Sequence, residues 1–241
     1  MANALDAYYR IRLHCRIRDI PTRDQRFYSP MNSARPAIAL LVLGGDEESQ
    51  LTTISGHLEE IGAAVITLSI SEPLPGDADG LCVAGEGSIG LNQGSIPNAL
   101  SQAVNSEIPI LGVEDGFHAL NMAFGGQAPV ATDGHIGPDG EPVRHQIFMG
   151  LGGKLADAIG GAGLVTVTAA HAYSVMGAQQ APDLLASAHA TDDGAIEALE
   201  LPGSRWVLGV QWREFELSEQ PRGFDNLLHA LIGIAAESAA G

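Results

Sequence analysis

The chain has 241 residues, of which 45% are hydrophobic and 17% charged, and a formal net charge of −17. This length fits one α/β domain with a well-buried core, and no apolar run approaches the ~20 residues of a membrane span. The excess of acidic residues disfavours nucleic acid as a partner, because phosphates bind to basic surfaces. Cys15 and Cys82 are too few and too far apart for a disulfide framework or a zinc site. The polar N-terminus does not read as a signal peptide, so we expect a cytoplasmic protein with no membrane partner.

Residues 1–35 form a predicted basic extension ahead of the main domain, residues 36–241. The extension holds seven of the twelve basic residues and only three acidic ones. Its stretch 9–18 alternates apolar and basic residues, which favours a half-buried edge strand over RNA binding. We expect this arm to contact its own acidic body, a second copy in a homodimer, or a partner enzyme.

The body begins with an unbroken apolar run at 37–43 that ends in two glycines, as expected for a strand covered on both faces. Further along, the pattern predicts strands at 64–68 and 79–85 and helices at 49–61 and 96–105. Strand and helix alternate, which indicates a doubly wound, mostly parallel sheet flanked by helices. Ligands of such sheets bind beyond the carboxyl ends of the strands.

The stretch 109–126 organises the rest of the domain. Four apolar residues of a short strand turn between Gly112 and Gly116 into an apolar pattern with helical spacing. A strand that turns sharply into a helix between glycines is a nucleophile elbow, which holds one side chain in a strained, exposed position. The side chain at this apex is Glu114.

This stretch resembles the elbow of class I glutamine amidotransferases, and most closely their γ-glutamyl-γ-aminobutyrate hydrolase, or peptidase C26-like, branch. The family pattern reads roughly P-[IV]-L-G-[IV]-C-x-G-x-x-x-[LI]-N-x-x-x-G-G. Every framework position matches, whereas Glu114 replaces the cysteine nucleophile. The resemblance covers roughly residues 37–235 and implies a flavodoxin-like α/β fold.

Two loops resemble the parts of the family that surround the substrate. Residues 84–88 resemble a P-G-G-G segment whose amides help to form the oxyanion hole. Gly85 and Gly87 keep its flexibility, whereas the carboxylate of Glu86 either opposes oxyanion binding or points into water. The segment that ends at His171 resembles a V-N-S-x-H-H-Q loop, which implies substrate contact by His171, although a purely structural role is also open. Tyr173 could stack on a ligand or form a hydrogen bond with it.

The last motif, residues 206–212, resembles F-x-x-G-V-Q-W-H-P-E, whose His and Glu complete the family's triad. Here these two positions read Arg213 and Phe215, so all three triad positions have changed. Ahead of this motif, segments 185–190 and 195–200 alternate around an Asp-Asp-Gly turn, which predicts a hairpin. Because the triad positions have changed, conventional glutaminase chemistry is not expected.

Two interpretations of the altered site remain open. Glu114 and Arg213 could form a salt bridge that plugs an idle pocket. Alternatively, Glu114 acts as an acid, a base or an acyl acceptor, and Arg213 binds a substrate carboxylate or stabilises developing charge. His118 lies at i+4 from Glu114 on the same helix face and completes the predicted catalytic set. The predicted substrate-binding residues are Gly85, Glu86, Gly87, Val113, Asp115, His171 and Tyr173.

No cofactor is predicted. Glu114, His118 and His171 could together hold a metal, but their spacing matches no standard site, so the metal-free reading is preferred. The favoured function is a repurposed biosynthetic enzyme that acts on an amino-acid-derived or γ-glutamyl-like small molecule through Glu114. The alternative is an inactive pseudo-amidotransferase that serves as a binding, scaffolding or regulatory subunit.

Overall fold

The computed structural model describes residues 35–44, 47–85, 96–212, 221 and 223–239. The predicted arm, apart from Arg35, lies outside these residues, so its strand, its docking and the domain boundary stay predictions. Glu86, Gly87 and Arg213 also lie outside the described residues. No helix in the described ranges is long and apolar enough to cross a membrane.

The described chain alternates strands and helices up to the elbow and continues mainly with strands. The helices are α1 (Glu47–Glu60), α2 (Asn98–Val104), α3 (Asp115–Ala123), α4 (Lys154–Ile159) and α5 (Asn226–Ala239). The strands are β1 (Ala37–Val42), β2 (Ala64–Leu68), β3 (Gly80–Ala84), β4 (Ile110–Val113), β5 (Val130–Ala131), β6 (Val143–Met149), β7 (Gly163–Ala169), β8 (Tyr173–Ser174), β9 (Leu185–Ala190), β10 (Ile196–Glu200) and β11 (Val207–Val210).

Nine strands form one sheet in the order β2-β1-β3-β4-β11-β10-β9-β6-β7, and β5 pairs with β8 in a small second sheet. Pairing is parallel from β2 through β11 and antiparallel from β11 through β7. The predicted α/β fold is confirmed, and its antiparallel half extends the parallel sheet on one side. The predicted hairpin is present as β9 and β10.

Helices cover both faces of the sheet, as the unbroken apolar run of β1 requires. Ile38, Leu40 and Val42 pack with residues of α1, α4 and α5 on one face. Ala39 and Leu41 pack on the other face with residues of α2 and α3. Because successive side chains of a strand point to opposite faces, both halves of the alternating pattern must be apolar.

The elbow helix α3 is tied to a neighbouring loop by the fully buried Asn121. Its side-chain amide donates to the carbonyl oxygens of Gln127 (3.1 Å) and Gln179 (2.9 Å), and its oxygen accepts from the Ala181 amide (2.8 Å). These three bonds satisfy the buried amide and fix the helix that carries the predicted site residues.

Candidate active site

The turn between β4 and α3 holds Glu114 at its apex. The backbone of Glu114 has φ 55° and ψ −115°, and no other non-glycine residue in the described ranges has a positive φ. A Cβ atom at Gly116 would overlap the carbonyl oxygen of Val83, so only glycine lets α3 approach β3 this closely. The turn therefore has the sharp, strained geometry of a nucleophile elbow.

The backbone amides at the apex are engaged within the protein. The Glu114 amide donates to the carbonyl of Val210 and the Asp115 amide donates to the carbonyl of Gly85, both at 3.0 Å. In elbow enzymes, the amide after the nucleophile helps to form the oxyanion hole. Here a carbonyl oxygen already accepts from that amide, so the elbow does not present the conventional oxyanion donor.

A pocket opens in front of the elbow. It brings five of the predicted site residues together and adds three apolar ones. Its described lining is Glu114, Asp115, His118, Ile136, Ala170, His171, Ala172 and Tyr173. Val113 is fully buried in β4 and is not part of this lining. Roles for Glu86, Gly87 and Arg213 at the pocket stay predictions.

His118 lies on the pocket side of α3, one turn beyond Glu114. Its Nδ1 lies 3.6 Å from Oδ1 of Asp115, and both side chains are almost completely buried. The opposite nitrogen, Nε2, is buried without a hydrogen-bond partner among the described residues. Because a buried polar atom normally has a partner, Nε2 of His118 is a candidate contact for a bound ligand.

Next to this pocket, three histidines converge on one buried glutamate in the antiparallel half of the sheet. Glu197 of β10 is fully buried, and its Oε1 faces all three rings. His145 Nε2 lies 3.1 Å from this oxygen, His135 Nδ1 lies 3.4 Å away and His171 Nε2 lies 3.7 Å away. We call these four residues the histidine–glutamate cluster. Since His171 also lines the pocket, the cluster and the pocket are contiguous.

The outer nitrogens of two cluster rings are held by further groups. His135 Nε2 donates to Oδ2 of Asp193, 3.0 Å away in the β9–β10 turn. His171 Nδ1 lies 3.1 Å from the Tyr173 carbonyl and 2.8 Å from the side-chain nitrogen of Gln211. Both rings are therefore fixed in orientation, with the other nitrogen of each facing Glu197.

Burial and charge set the protonation of the cluster. Burial raises the pKa of Glu197, but the neighbouring imidazoles of His135 and His145 outweigh it and lower this pKa to about 2. Burial also lowers the pKa of His171, to about 3. For His135, burial is opposed by Glu197 and Asp193, which leave its pKa raised. At neutral pH, Glu197 is thus ionised and His171 is a neutral imidazole.

The sequence relatives agree with this architecture. The sequence model of the Peptidase C26 family matches residues 97–214. A candidate glutamine amidotransferase of Mycobacterium tuberculosis is 31% identical over 146 residues, which cover 58% of this chain and 46% of that protein. The glutamine-hydrolysing GMP synthase of Leifsonia xyli subsp. xyli is 38% identical over 133 residues, which cover 54% of this chain and 25% of that protein.

Solved structures share the fold across most of the chain. A candidate GMP synthase subunit from Thermoplasma acidophilum has a TM-score of 0.67 at 17% identity, covering 86% of this chain and 96% of that one. The Trypanosoma brucei CTPS glutaminase domain with bound acivicin has a TM-score of 0.61 at 16% identity, covering 85% and 94%. The chain is class I glutamine amidotransferase-like. The predicted resemblance is confirmed, although the chain spans less than half the length of the two curated relatives.

Within this amidotransferase-like domain, sequence reasoning did not assign the histidine–glutamate cluster. His135 lies in a loop with no periodic pattern. Glu197 is an acidic residue within β10, a strand whose five residues are all buried. An acidic residue is rarely fully buried without a partner, so such a position points to a polar cluster.

Proposed function

We propose that this amidotransferase-like chain is an enzyme that binds an amino-acid-derived or γ-glutamyl-like small molecule at the elbow and acts on it through Glu114. The observation that carries the proposal is the strained backbone of Glu114, which lines the pocket. A non-glycine residue in such a conformation costs about 1–3 kcal/mol, and strain of this kind concentrates at functional sites. Glycine would remove most of the strain, so the side chain is expected to have a use.

The pocket chemistry supports roles for individual residues. Glu114 is half-buried and can take a proton from a bound substrate or return one. His118 and His171 both line the pocket and can position the substrate or exchange protons with it. We propose that Arg213 binds a substrate carboxylate, since a guanidinium matches a carboxylate in charge and shape.

The substrate class follows from the charges and the relatives. Glu114 and Asp115 both line the pocket, and carboxylates suit the α-ammonium group of an amino acid. The Leifsonia relative is named for glutamine hydrolysis and the Trypanosoma structure is a glutaminase domain. We therefore propose a ligand with an α-amino acid head and a γ-carbonyl group, processed by chemistry other than attack by a cysteine.

A specific observation favours a second function, that of a non-catalytic binding or regulatory subunit. The Asp115 amide, the expected oxyanion donor, is already bonded to the Gly85 carbonyl. A pocket without this donor loses one of the main sources of acyl-transfer catalysis. In this alternative the pocket retains amino-acid recognition without turnover.

A ligand screen with a matched pair of variants tests the proposal. Wild type, Glu114→Gln and Glu60→Gln are compared by thermal shift against glutamine, γ-glutamyl amides, free amino acids and dicarboxylates. Glu60 is an exposed glutamate of α1, so its variant controls for the loss of one negative charge. A ligand at ~100 times its dissociation constant adds about 2.7 kcal/mol of stability. Mass spectrometry of each mixture detects any conversion.

If the proposal is correct, a γ-glutamyl compound stabilises wild type and Glu60→Gln, and both proteins convert it. The same compound neither stabilises Glu114→Gln nor is converted by it. Binding without conversion in all three proteins supports the non-catalytic alternative. An absence of stabilisation by every compound class, in wild type as in the variant, contradicts both versions of the ligand proposal.

A further inference from the structure

Most residues of the histidine–glutamate cluster do not belong to the lining of the elbow pocket. His135, His145 and Glu197 do not line that pocket, yet all are buried beside it. The ligand-type atoms of His135, His171 and Glu197 all lie within 4.8 Å of one another. We propose that these three residues bind a divalent transition-metal ion of the Zn²⁺ or Fe²⁺ type. This site differs from the trio considered in the sequence, with which it shares only His171.

The distances match a metal site that needs only a small contraction. Bonds from Zn²⁺ to histidine nitrogen and carboxylate oxygen are about 2.0–2.2 Å, so neighbouring ligand atoms in a tetrahedral site lie ~3.3 Å apart. Glu197 Oε1 lies 3.4 Å from His135 Nδ1 and 3.7 Å from His171 Nε2. Side-chain rotations that bring the ligand atoms, all within 4.8 Å of one another, closer together would close the set around an ion.

Each of the three proposed ligand residues has a buried ring or carboxylate atom without a hydrogen bond to any described residue. Among the described residues, His135 Nδ1, His171 Nε2 and Glu197 Oε2 are buried without a hydrogen bond. A buried polar atom without a partner costs about 1–3 kcal/mol, and three in contact are rarely left so. A cation bound by both imidazoles and by the carboxylate would satisfy all three residues together. This is an observation independent of the distances.

The surroundings of the ligands are those of a constructed metal site. Metal-binding histidines commonly donate their other ring nitrogen to a carboxylate or a carbonyl, which fixes the ring. Asp193 accepts from His135 Nε2, whereas His171 Nδ1 lies 2.8 Å from the side-chain nitrogen of Gln211 and 3.1 Å from the Tyr173 carbonyl. His145 contacts the ligand oxygen of Glu197 at 3.1 Å and orients that carboxylate. Each of the three proposed ligands thus has a group that positions it.

The ligand types narrow the identity of the ion. Two imidazoles and one carboxylate are the protein ligands of many catalytic Zn²⁺ sites and of non-haem Fe²⁺ sites. Mg²⁺ and Ca²⁺, in contrast, prefer oxygen ligands alone. Three protein ligands leave coordination positions open for water or a substrate. Since His171 belongs to both the cluster and the pocket, a bound ion would lie beside the Glu114 pocket.

The test is metal binding by the full chain after chelation and dialysis. Calorimetric titrations with Zn²⁺, Co²⁺, Fe²⁺ under anaerobic conditions and Mg²⁺ are compared for wild type, Glu197→Gln, His171→Asn and His189→Gln. His189 is an exposed histidine of β9, so its variant controls for the loss of any one imidazole. The absorption spectrum of bound Co²⁺ reports the ligand geometry without any assay of activity.

The expected result is one equivalent of Zn²⁺ or Co²⁺ bound by wild type and by His189→Gln, with no binding of Mg²⁺. Glu197→Gln and His171→Asn should weaken binding at least ~100-fold. Should either variant fail to fold, Asp193→Asn leaves all three ligands in place and is expected to weaken binding by about 10–100-fold. Glu114→Gln should bind metal as wild type does, so the failure of the elbow proposal would not affect this one.

Two results would overturn the site. One is an absence of Zn²⁺, Co²⁺ and Fe²⁺ binding by wild type, in which case the cluster is a hydrogen-bonded polar core. The other is binding that persists unchanged in folded Glu197→Gln, His171→Asn or Asp193→Asn, which would place the metal elsewhere on the chain.

Discussion

The elbow and the histidine–glutamate cluster are neighbours in the fold but are built in opposite ways. The elbow arises from one short stretch between β4 and α3, where glycines allow a strained backbone at Glu114. The cluster draws its side chains from four separate segments and concentrates buried polar atoms. The elbow has a strained backbone, whereas the cluster depends on electrostatic interactions between buried groups. Substitutions can therefore change one of the two and leave the other intact.

The largest effect is expected from Glu197→Gln in the metal-free protein. Glu197 is the ionised carboxylate that three imidazoles share, and removal of one member of a buried charged group costs about 3–5 kcal/mol. Urea unfolding at neutral pH measures the loss. His189→Gln, at an exposed site, should stay within about 0.5 kcal/mol of wild type. A loss as small for Glu197→Gln as for this control would mean that the cluster is not electrostatically coupled.

Gly116→Ala breaks the elbow without altering a charge. Its methyl group would overlap the Val83 carbonyl, so α3 must move away from β3, at a cost of about 2–3 kcal/mol. Gly56→Ala in α1 is the matched control, because no atom lies within 4 Å of the added Cβ. That control should raise stability by about 0.5–1 kcal/mol. Equal denaturation midpoints for the two variants would show that α3 does not pack as described.

The pH dependence of the free energy of unfolding should report on the cluster rather than on the elbow. The pKa of His171 is about 3 in the folded protein and ordinarily 6.5, so between these values the unfolded chain binds one more proton. The free energy of unfolding therefore falls as pH falls, by up to about 1.4 kcal/mol per pH unit from this residue. Between pH 6.5 and 4.5, His171→Asn should have the shallower slope and His189→Gln the wild-type slope. Parallel curves for wild type and His171→Asn would contradict the buried neutral imidazole.

The smallest expected effect is the difference in stability between two variants of Glu114, at the apex of the elbow. Glu114→Ala and Glu114→Gly both remove the side chain, but only glycine adopts the positive φ without strain. Glu114→Gly should therefore be about 1 kcal/mol more stable than Glu114→Ala by thermal unfolding. Should alanine prove as stable as glycine, the backbone at residue 114 is not strained, and the argument for a functional Glu114 weakens.

The sequence predicted the elements whose information is local. The apolar run of β1, the hairpin of β9 and β10 and the turn at Glu114 each depend on residues that are close along the chain. Periodicity and glycine placement report directly on such short-range geometry. The boundaries of α1 and α2 shifted by one or two residues, because helix ends depend on capping and packing as well as on pattern.

The pairing of the antiparallel half was not determined by any local pattern. Strand β9 lies between β10 and β6, and β7 forms the edge, although β6 and β7 precede β9 in the chain. This order brings His145 of β6 next to Glu197 of β10 across the intervening strand. Hydrophobic alternation identifies a strand and its faces, but it does not name the strand's neighbours.

The α/β class, the family resemblance and the turn at Glu114 follow from the sequence alone. The folded structure adds that His135, His145 and His171 surround one carboxylate and that the Asp115 amide donates to the Gly85 carbonyl. The physical reason is range: turn geometry and hydrophobic period act over a few residues, whereas buried charges are paired by folding across distant segments. A chemical site assembled in this second way becomes visible only when the sheet is complete.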